Sequence, residues 1–297
     1  MLEESQSHAN HEGKAIKKEF HTPVNTDDKT AVELLVESVE GIQLSKQKIK
    51  QIMQKGCVWI EKSSRHKDQK QYIQRLRRAK KILSKGETLH FYYDETILDT
   101  EPAEATLVKD EGDYSIWNKP SGMLSQGSKW GDHCTINRWV EKHLKPERPA
   151  FIVHRLDRAA SGLIIIAHKK SIASSFANLF KEHKIQKQYG VSVEGDFSSL
   201  LESINSVKTI NSNIDNKHAV SHCHFISYNK STNESALTVE IETGRKHQIR
   251  KHLAALQFPV VGDRLYGSGK NKEDLKLKAV HLSFICPVMG ENKLFEL

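Results

Sequence analysis

The sequence predicts an α+β fold built around a mainly antiparallel sheet, with a smaller module ahead of it, and three observations lead there. Strand-like and helix-like stretches mix without a regular β-α-β rhythm. The run from Leu163 to Ala167 is continuously apolar, as expected of a strand covered on both faces. Positive charge is gathered near the N-terminus: between Lys62 and Lys85 stand ten lysines and arginines against one acid, Asp68, in a chain whose net charge is +8. One short segment therefore holds the whole excess, the electrostatic footprint of a polyanion site.

Residues 1–27 are polar and charged, carry no apolar period, and read as a disordered tail. Residues 28–98 read as a small module. Ala31, Leu34 and Leu35 begin it; Ser45 is a candidate N-cap for a helix marked by Ile49, Ile52 and Met53, and Gly56 is its stop. Cys57–Ile60 and Thr88–Tyr93 fit strands, the second introduced by a turn at Ser84–Glu87. Between them lies the basic insert, 62–85, in which Tyr72, Ile73, Leu76, Ala79 and Leu83 suggest an added helix exposing Arg75, Arg78 and Lys81.

Residues 99–297 form the larger domain. Leu107–Val108 and Tyr114–Trp117 read as strands and Asn118–Gly122 as a turn. Ser171 can cap a helix with Ile172, Phe176, Leu179 and Phe180 on one face, after which Lys187–Val193 resumes as a strand that points Tyr189 inward. A strand at Ala236–Ile241 leads to Gly244, which allows a sharp turn, and then to a helix whose Ile249, Leu253 and Leu256 form its packed face before Pro259.

Several function classes drop out. No stretch approaches the roughly 18 apolar residues of a membrane span, and the first residues lack the basic start and apolar core of a signal peptide, so a cytoplasmic protein without a membrane partner is expected. Cys57, Cys134, Cys223 and Cys286 are far apart, without a Cys-x-x-Cys pair, and fit free thiols in a reducing compartment. His222 and His224, on either side of Cys223, read as ordinary strand residues and not as metal ligands. No P-loop or Gly-x-Gly-x-x-Gly is present.

The chemistry concentrates in Val153-His154-Arg155-Leu156-Asp157-Arg158, directly before Ser161-Gly162 and the buried run. Asp157 sits between arginines on a loop anchored by a core strand, and cations beside a carboxylate favour its charged, nucleophilic form. From Gly244-Arg245-Lys246-His247-Gln248-Ile249-Arg250, Arg250 flanks a buried helix face and can reach inward to a carboxylate, while Arg245 at the helix start is free for phosphate. Spacing alone leaves Tyr189 either an ordinary core residue or a platform for a flat base.

These strings resemble the RluA-type pseudouridine synthases. The likeness rests on His154-Arg155-Leu156-Asp157, Lys187-Gln188-Tyr189, Gly244-Arg245-Lys246-His247-Gln248-Ile249-Arg250 and Asn118-Lys119-Pro120-Ser121-Gly122, and it spans about residues 107–290. Residues 28–95 are similar to the alpha-L RNA-binding domain, apart from the basic insert.

The resemblance implies the pseudouridine synthase fold with a mixed, mainly antiparallel sheet, and isomerisation of uridine in RNA without a cofactor or metal. Asp157, Tyr189 and Arg250 would be catalytic. Asp157 would attack the ribose or otherwise stabilise the departing sugar, Arg250 would pair with it, and Tyr189 would stack on the uracil. Arg155 would fill the gap left by a flipped nucleotide, or else pair with a neighbouring acid. Arg245, Lys119, Arg75, Arg78 and Lys81 would meet RNA. Asp263 and Tyr266 read as structural. Ala160 stands where the family usually has threonine, so a hydroxyl that could orient the loop is lost. The expected partner is RNA, with large ribosomal RNA favoured over transfer RNA, and the expected state is a monomer. The competing readings are an inactive RNA-binding protein and a hydrolytic glycosidase, for which no second carboxylate stands in these motifs.

Overall fold

In the computed structural model, which describes residues 15–62, 72–267 and 273–297, the chain forms two units. The first lies within residues 1–101 and includes 127–133; the second comprises 102–126 and 134–297.

The first unit runs β1 (Lys17–Pro23), α1 (Ala31–Ser38), α2 (Lys46–Gln54), β2 (Val58–Lys62), β3 (Tyr72–Arg75), β4 (Thr88–Asp94) and α3 (Glu95–Asp99). Thr30 caps α1 in a reciprocal capping box with Glu33, and Ser45 caps α2 as the sequence suggests. Gly56 follows α2 at φ +83°, a left-handed conformation that glycine adopts without penalty. Ile49, Ile52, Met53, Ile60, Leu89 and Phe91 are wholly or almost wholly buried between the helices and the antiparallel sheet β1-β4-β2-β3.

Two expectations fail in this unit. The tail expected at 1–27 is replaced, from Lys17 to Pro23, by an edge strand paired with β4. Its hold is the backbone ladder, the polar pairs Lys17–Asp94 at 3.1 Å and His21–His90 at 2.8 Å, and Phe20 stacked on Phe91 at 5.8 Å, so only one apolar side chain marks it, too few to make a period. Residues 1–14 lie outside the described residues. The helix expected in the basic insert is absent over the described part: Tyr72–Arg75 pairs with β2, and Arg75 lies opposite Trp59. Leu76 and Leu83 are buried, but Tyr72 and Ile73 are exposed; the pattern that suggested one helix face is split between a strand and the irregular chain after it. Residues 63–71 lie outside the described residues.

The second unit contains β5 (Thr106–Asp110), β6 (Tyr114–Lys119), α4 (Ile136–His143), β7 (Phe151–Ile152), β8 (Ser161–Ala167), α5 (Lys170–Lys181), β9 (Gln186–Glu194), β10 (Val207–Ile214), β11 (Lys217–Asn229), β12 (Glu234–Ile241), α6 (Gln248–Ala255), β13 (Leu277–Ile285) and β14 (Asn292–Glu296). Its ten strands form one mixed sheet in the order β10-β11-β12-β9-β13-β8-β6-β5, with β7 beside β8 and β14 beside β13. Only the β8–β13 pair is parallel. The fold is α+β, as the sequence predicts. Helix α5 begins at Lys170, so Ser171 lies inside its first turn and makes no cap.

Strand β8 is the centre of this unit, and Leu163 to Ala167 are fully buried there. Gly162 opens it at φ +108°, where a Cβ would come within 2.2 Å of the Ala279 carbonyl oxygen. No other residue allows β8 to approach β13 this closely, and that approach fixes the loop just before it, which carries Asp157.

Candidate active site

The Asp157 loop is fastened from below by the segment following β6. Ser125 Oγ donates to the Leu156 carbonyl at 2.8 Å and accepts from its N–H at 3.0 Å. Ser121 Oγ donates to Ala159 O at 2.9 Å, and the N–H of Gly122 donates to Arg158 O at 2.8 Å. Lys119 completes the fastening: its ammonium is fully buried and donates to the carbonyls of Ala160 (2.7 Å), Met123 (2.9 Å) and Pro120 (3.0 Å). Burial pushes Lys119 down to about 8, with Asp157 pulling the other way. The placement of Lys119 among RNA-binding residues is thus corrected, because an enclosed ammonium shared among carbonyls cannot meet a phosphate.

Arg250 reaches Asp157 as the sequence suggested, but its first commitment is elsewhere. Its Nε and Nη2 donate to Asp263 at 2.7 and 2.6 Å, and Nη1 donates to Asp157 Oδ2 at 3.3 Å. The Asp263 side chain has no exposed surface, and it also accepts from the N–H groups of Leu265 and Tyr266 at 2.9 and 3.1 Å. Burial opposes the charge on Arg250, but its bonds to Asp263 and Asp157 and their negative charges together outweigh it and raise the pKa; for Asp263 burial is likewise outweighed by Arg250 together with the N–H groups of Leu265 and Tyr266, and its pKa falls. A planar guanidinium held along one edge by a bidentate carboxylate presents its remaining nitrogen, Nη1, in a fixed direction. Asp263 is therefore structural, as read, but what it builds is the arm that holds Asp157.

His247 was not anticipated. It begins α6 in a left-handed conformation, φ +55°, so the sharp turn assigned to Gly244 is made here, and Gly244 itself has no positive φ. Its Nε2 lies 3.8 Å from Asp157 Oδ1 and its Nδ1 2.9 Å from the Tyr266 hydroxyl. Burial lowers its pKa, with Asp157 opposing, so at neutral pH the imidazole is uncharged. The signal in the sequence was its place three residues before Arg250, one helical turn away.

Asp157, Tyr189, Arg245, His247, Arg250 and Ala160 line one open cleft of about 380 Å³, together with Leu156, Ile241 and Leu277. Tyr189 is half-buried on β9 beside Asp157, and burial and then that carboxylate raise its hydroxyl pKa, so the phenol stays protonated. Arg245 gives only Nε to His218 O, at 2.8 Å. Arg155 is exposed and makes no ion pair among the described residues. Ala160 is buried in the apolar cluster, and its loop is closed by its own N–H donating to Asp157 O at 3.2 Å and by Lys119; here the ammonium secures the loop without a threonine hydroxyl.

The other predicted RNA contacts lie in the first unit. Arg75 stacks over Trp59 at 4.3 Å and pairs with Asp132 at 2.9 Å, so its expected exposure is corrected: β3 turns it inward. Arg77 also pairs with Asp132. Lys81 pairs with Glu87 at 3.6 Å, while Arg78 is exposed.

An open cleft that sets a fixed carboxylate beside apolar side chains and a tyrosine suits attack beside an aromatic base. The pattern of the RNA pseudouridylate synthase family matches residues 113–255, which carry Asp157, Tyr189 and Arg250. Ribosomal large subunit pseudouridine synthase C of Buchnera aphidicola is 34% identical over 210 residues, covering 63% of this chain and 65% of that protein; the chain thus spans just under two thirds of that relative. An RNA pseudouridine synthase of Aquifex aeolicus is 28% identical over 281 residues, 85% of each chain. Transfer RNA pseudouridine synthase C of Vibrio parahaemolyticus is 29% identical over 227 residues, covering 64% of this chain and 89% of that one. The solved structure of human RNA pseudouridylate synthase domain containing 1 superposes with a TM-score of 0.55 at 22% identity, over 67% of this chain and 86% of the other, which shows the shared fold. Over residues 113–255 the chain thus carries the pattern of the RNA pseudouridylate synthase family, and the relatives it resembles are named as RNA pseudouridine synthases.

Proposed function

We propose that this protein isomerises uridine to pseudouridine in structured RNA, with large-subunit ribosomal RNA as its substrate and Asp157, Tyr189 and Arg250 as its catalytic residues. The observation that carries the reading is the Asp157 carboxylate, held at 3.3 Å by an arginine that Asp263 has already fixed, in a cleft walled by Tyr189. During the reaction the bond from the anomeric carbon to N1 of uracil breaks, and a bond from that carbon to C5 forms. The proton lost from C5 is balanced by one gained at N1. Asp157 faces the sugar as nucleophile or as counter-charge; Arg250 keeps it aimed; the Tyr189 ring supports the uracil while it turns, and its protonated hydroxyl is a hydrogen-bond donor. The apolar walls, Leu156, Ile241 and Leu277, keep water from the free base.

The first unit supports an RNA module resembling the alpha-L domain: two capped helices against a sheet, with Arg78 exposed in a segment of high positive charge. Relatives named for ribosomal RNA favour that substrate, and a relative named for transfer RNA supplies the alternative. Mapping pseudouridines in all RNAs of cells with and without the gene decides between them. Loss of a site in large-subunit ribosomal RNA supports the proposal, loss in transfer RNA moves the substrate, and no loss anywhere contradicts the enzyme. A cytoplasmic, monomeric enzyme is part of the same proposal.

A further inference from the structure

Lys187 has no part in the chemistry above. It stands on β9 two residues before Tyr189, so both side chains leave the strand on one face, about 7 Å apart along it. The side chain is half-buried. Its ammonium lies 5.5 Å from the centre of the Phe180 ring, and a Cβ added to the exposed Gly244 would sit 4.0 Å from it. Among the described residues no carboxylate pairs with it; burial alone acts on it and lowers its pKa.

The loop beside this ammonium is short of negative charge as well. Among the described residues Arg245 spends only Nε, on His218 O, and Lys246 is exposed. Glu242, the acid of that loop, turns to His222 at 2.8 Å. The neighbouring His154 ring is no counter-charge: it is buried, accepts from the Ile165 N–H at 2.9 Å, and is pushed down to about 3. Asp157 acts on Tyr189 but is not among the groups acting on Lys187, so the catalytic carboxylate is not its counter-charge. A half-buried cation without a counter-charge is costly unless a ligand supplies one.

We propose that Lys187 binds a backbone phosphate next to the target uridine, beside Tyr189 and the Gly244–Arg245 loop, with Arg245 on the same anion. The inference rests on the proposed function and adds a positioning contact: with the base on Tyr189 and the sugar at Asp157, the adjacent phosphate fixes the nucleotide at a third point.

The test uses the full protein and a short RNA stem-loop containing the modified uridine, made with ordinary phosphates or with one neutral methylphosphonate on the 5′ or the 3′ side of that uridine. Lys187→Met should raise KM roughly ten- to hundredfold, the worth of one charge-assisted hydrogen bond, and leave kcat nearly unchanged. Lys187→Arg should restore most of the loss. On one of the two neutralised RNAs, wild type and Lys187→Met should become nearly equal. An unchanged KM, or an undiminished Lys187→Met defect on both neutralised RNAs, overturns the proposal.

If Lys187→Met does not fold, as judged by thermal melting, Lys187→Arg and the wild type on the neutralised RNAs carry the test. An unaltered wild-type KM on both neutralised RNAs is then the negative result. If the wild type makes no pseudouridine, the proposed function fails by itself. Binding of the same stem-loops, followed by fluorescence anisotropy, still reads the phosphate contact: a Lys187→Met loss that disappears on one neutral linkage upholds it, and no such loss rejects it.

Discussion

Around Asp157 the charged groups come from distant parts of the chain and converge; in the described part of the basic segment, residues 72–85, they follow one another in sequence and turn to different surroundings. Lys119 stands more than a hundred residues from Arg250 and Asp263, yet all three bear on one loop, Asp263 through Arg250. In the basic segment Arg75 and Arg77 turn to Asp132, Lys81 turns to Glu87, and Arg78 is left outward. Enclosed charges are expensive to leave unpaired, so they hold geometry; exposed ones are screened by water and salt, so they tune association. The contrast predicts large, structural effects around Asp157, smaller structural ones at the paired arginines of the basic segment, and salt-dependent ones at its outward cations.

The largest effect belongs to Asp263→Ala. It strands the Arg250 guanidinium and should cost about 3–5 kcal/mol in denaturant unfolding, with turnover reduced at least a hundredfold because the arm holding Asp157 is no longer fixed. A variant of near wild-type stability and turnover would remove the distinction between the two regions.

Lys119→Met comes next, at about 2–4 kcal/mol, since several enclosed carbonyls lose their donor. Its pH dependence has a definite sign. Lys119 lies at about 8 in the folded protein against 10.5 for the ordinary side chain, so between those values the unfolded chain holds a proton that the folded one has shed. The stability of wild type relative to Lys119→Met should therefore rise as pH rises through that window; unfolding titrations at both ends of it check this, and a fall would contradict the buried position.

Arg77 and Arg78 sharpen the comparison within the basic segment. Arg77→Gln should lower the stability of the protein by about 1–3 kcal/mol, because Asp132 loses a partner, and leave the salt dependence of RNA binding alone. Arg78→Gln should leave melting unchanged, weaken RNA binding a few-fold, and reduce the salt slope by about one if it meets a phosphate. Equal behaviour of the two would dissolve the distinction between paired and outward cations.

Much of the site was legible because its parts are tied to local patterns. The apolar run Leu163–Ala167 places β8 at the centre, and a carboxylate just before a buried strand has few places to go. Helix α6 shows its packed face through Ile249 and Leu253, which sets the direction of Arg250. What escaped depends on pairings remote in sequence. Nothing local to Lys119 says that a carbonyl as remote as that of Ala160 will help enclose it, and Asp263 shows its role only once α6 turns Arg250 onto it. His247 needed a left-handed backbone that its residue type does not advertise. The edge strand at Lys17–Pro23 is held by a ladder to β4, and a ladder leaves little mark on side-chain periodicity. In the basic insert, apolar spacing fitted a helix, and competition from β2 for the same backbone bonds decided otherwise at Tyr72–Arg75.

The central claim is that one carboxylate performs the isomerisation. Pseudouridine formed on large-subunit ribosomal and transfer RNA transcripts should be measured for wild type and Asp157→Asn, with melting curves to establish that both are folded. Conversion by the wild type with none detectable for Asp157→Asn is the predicted result. A folded Asp157→Asn protein that still converts uridine at a comparable rate would contradict it.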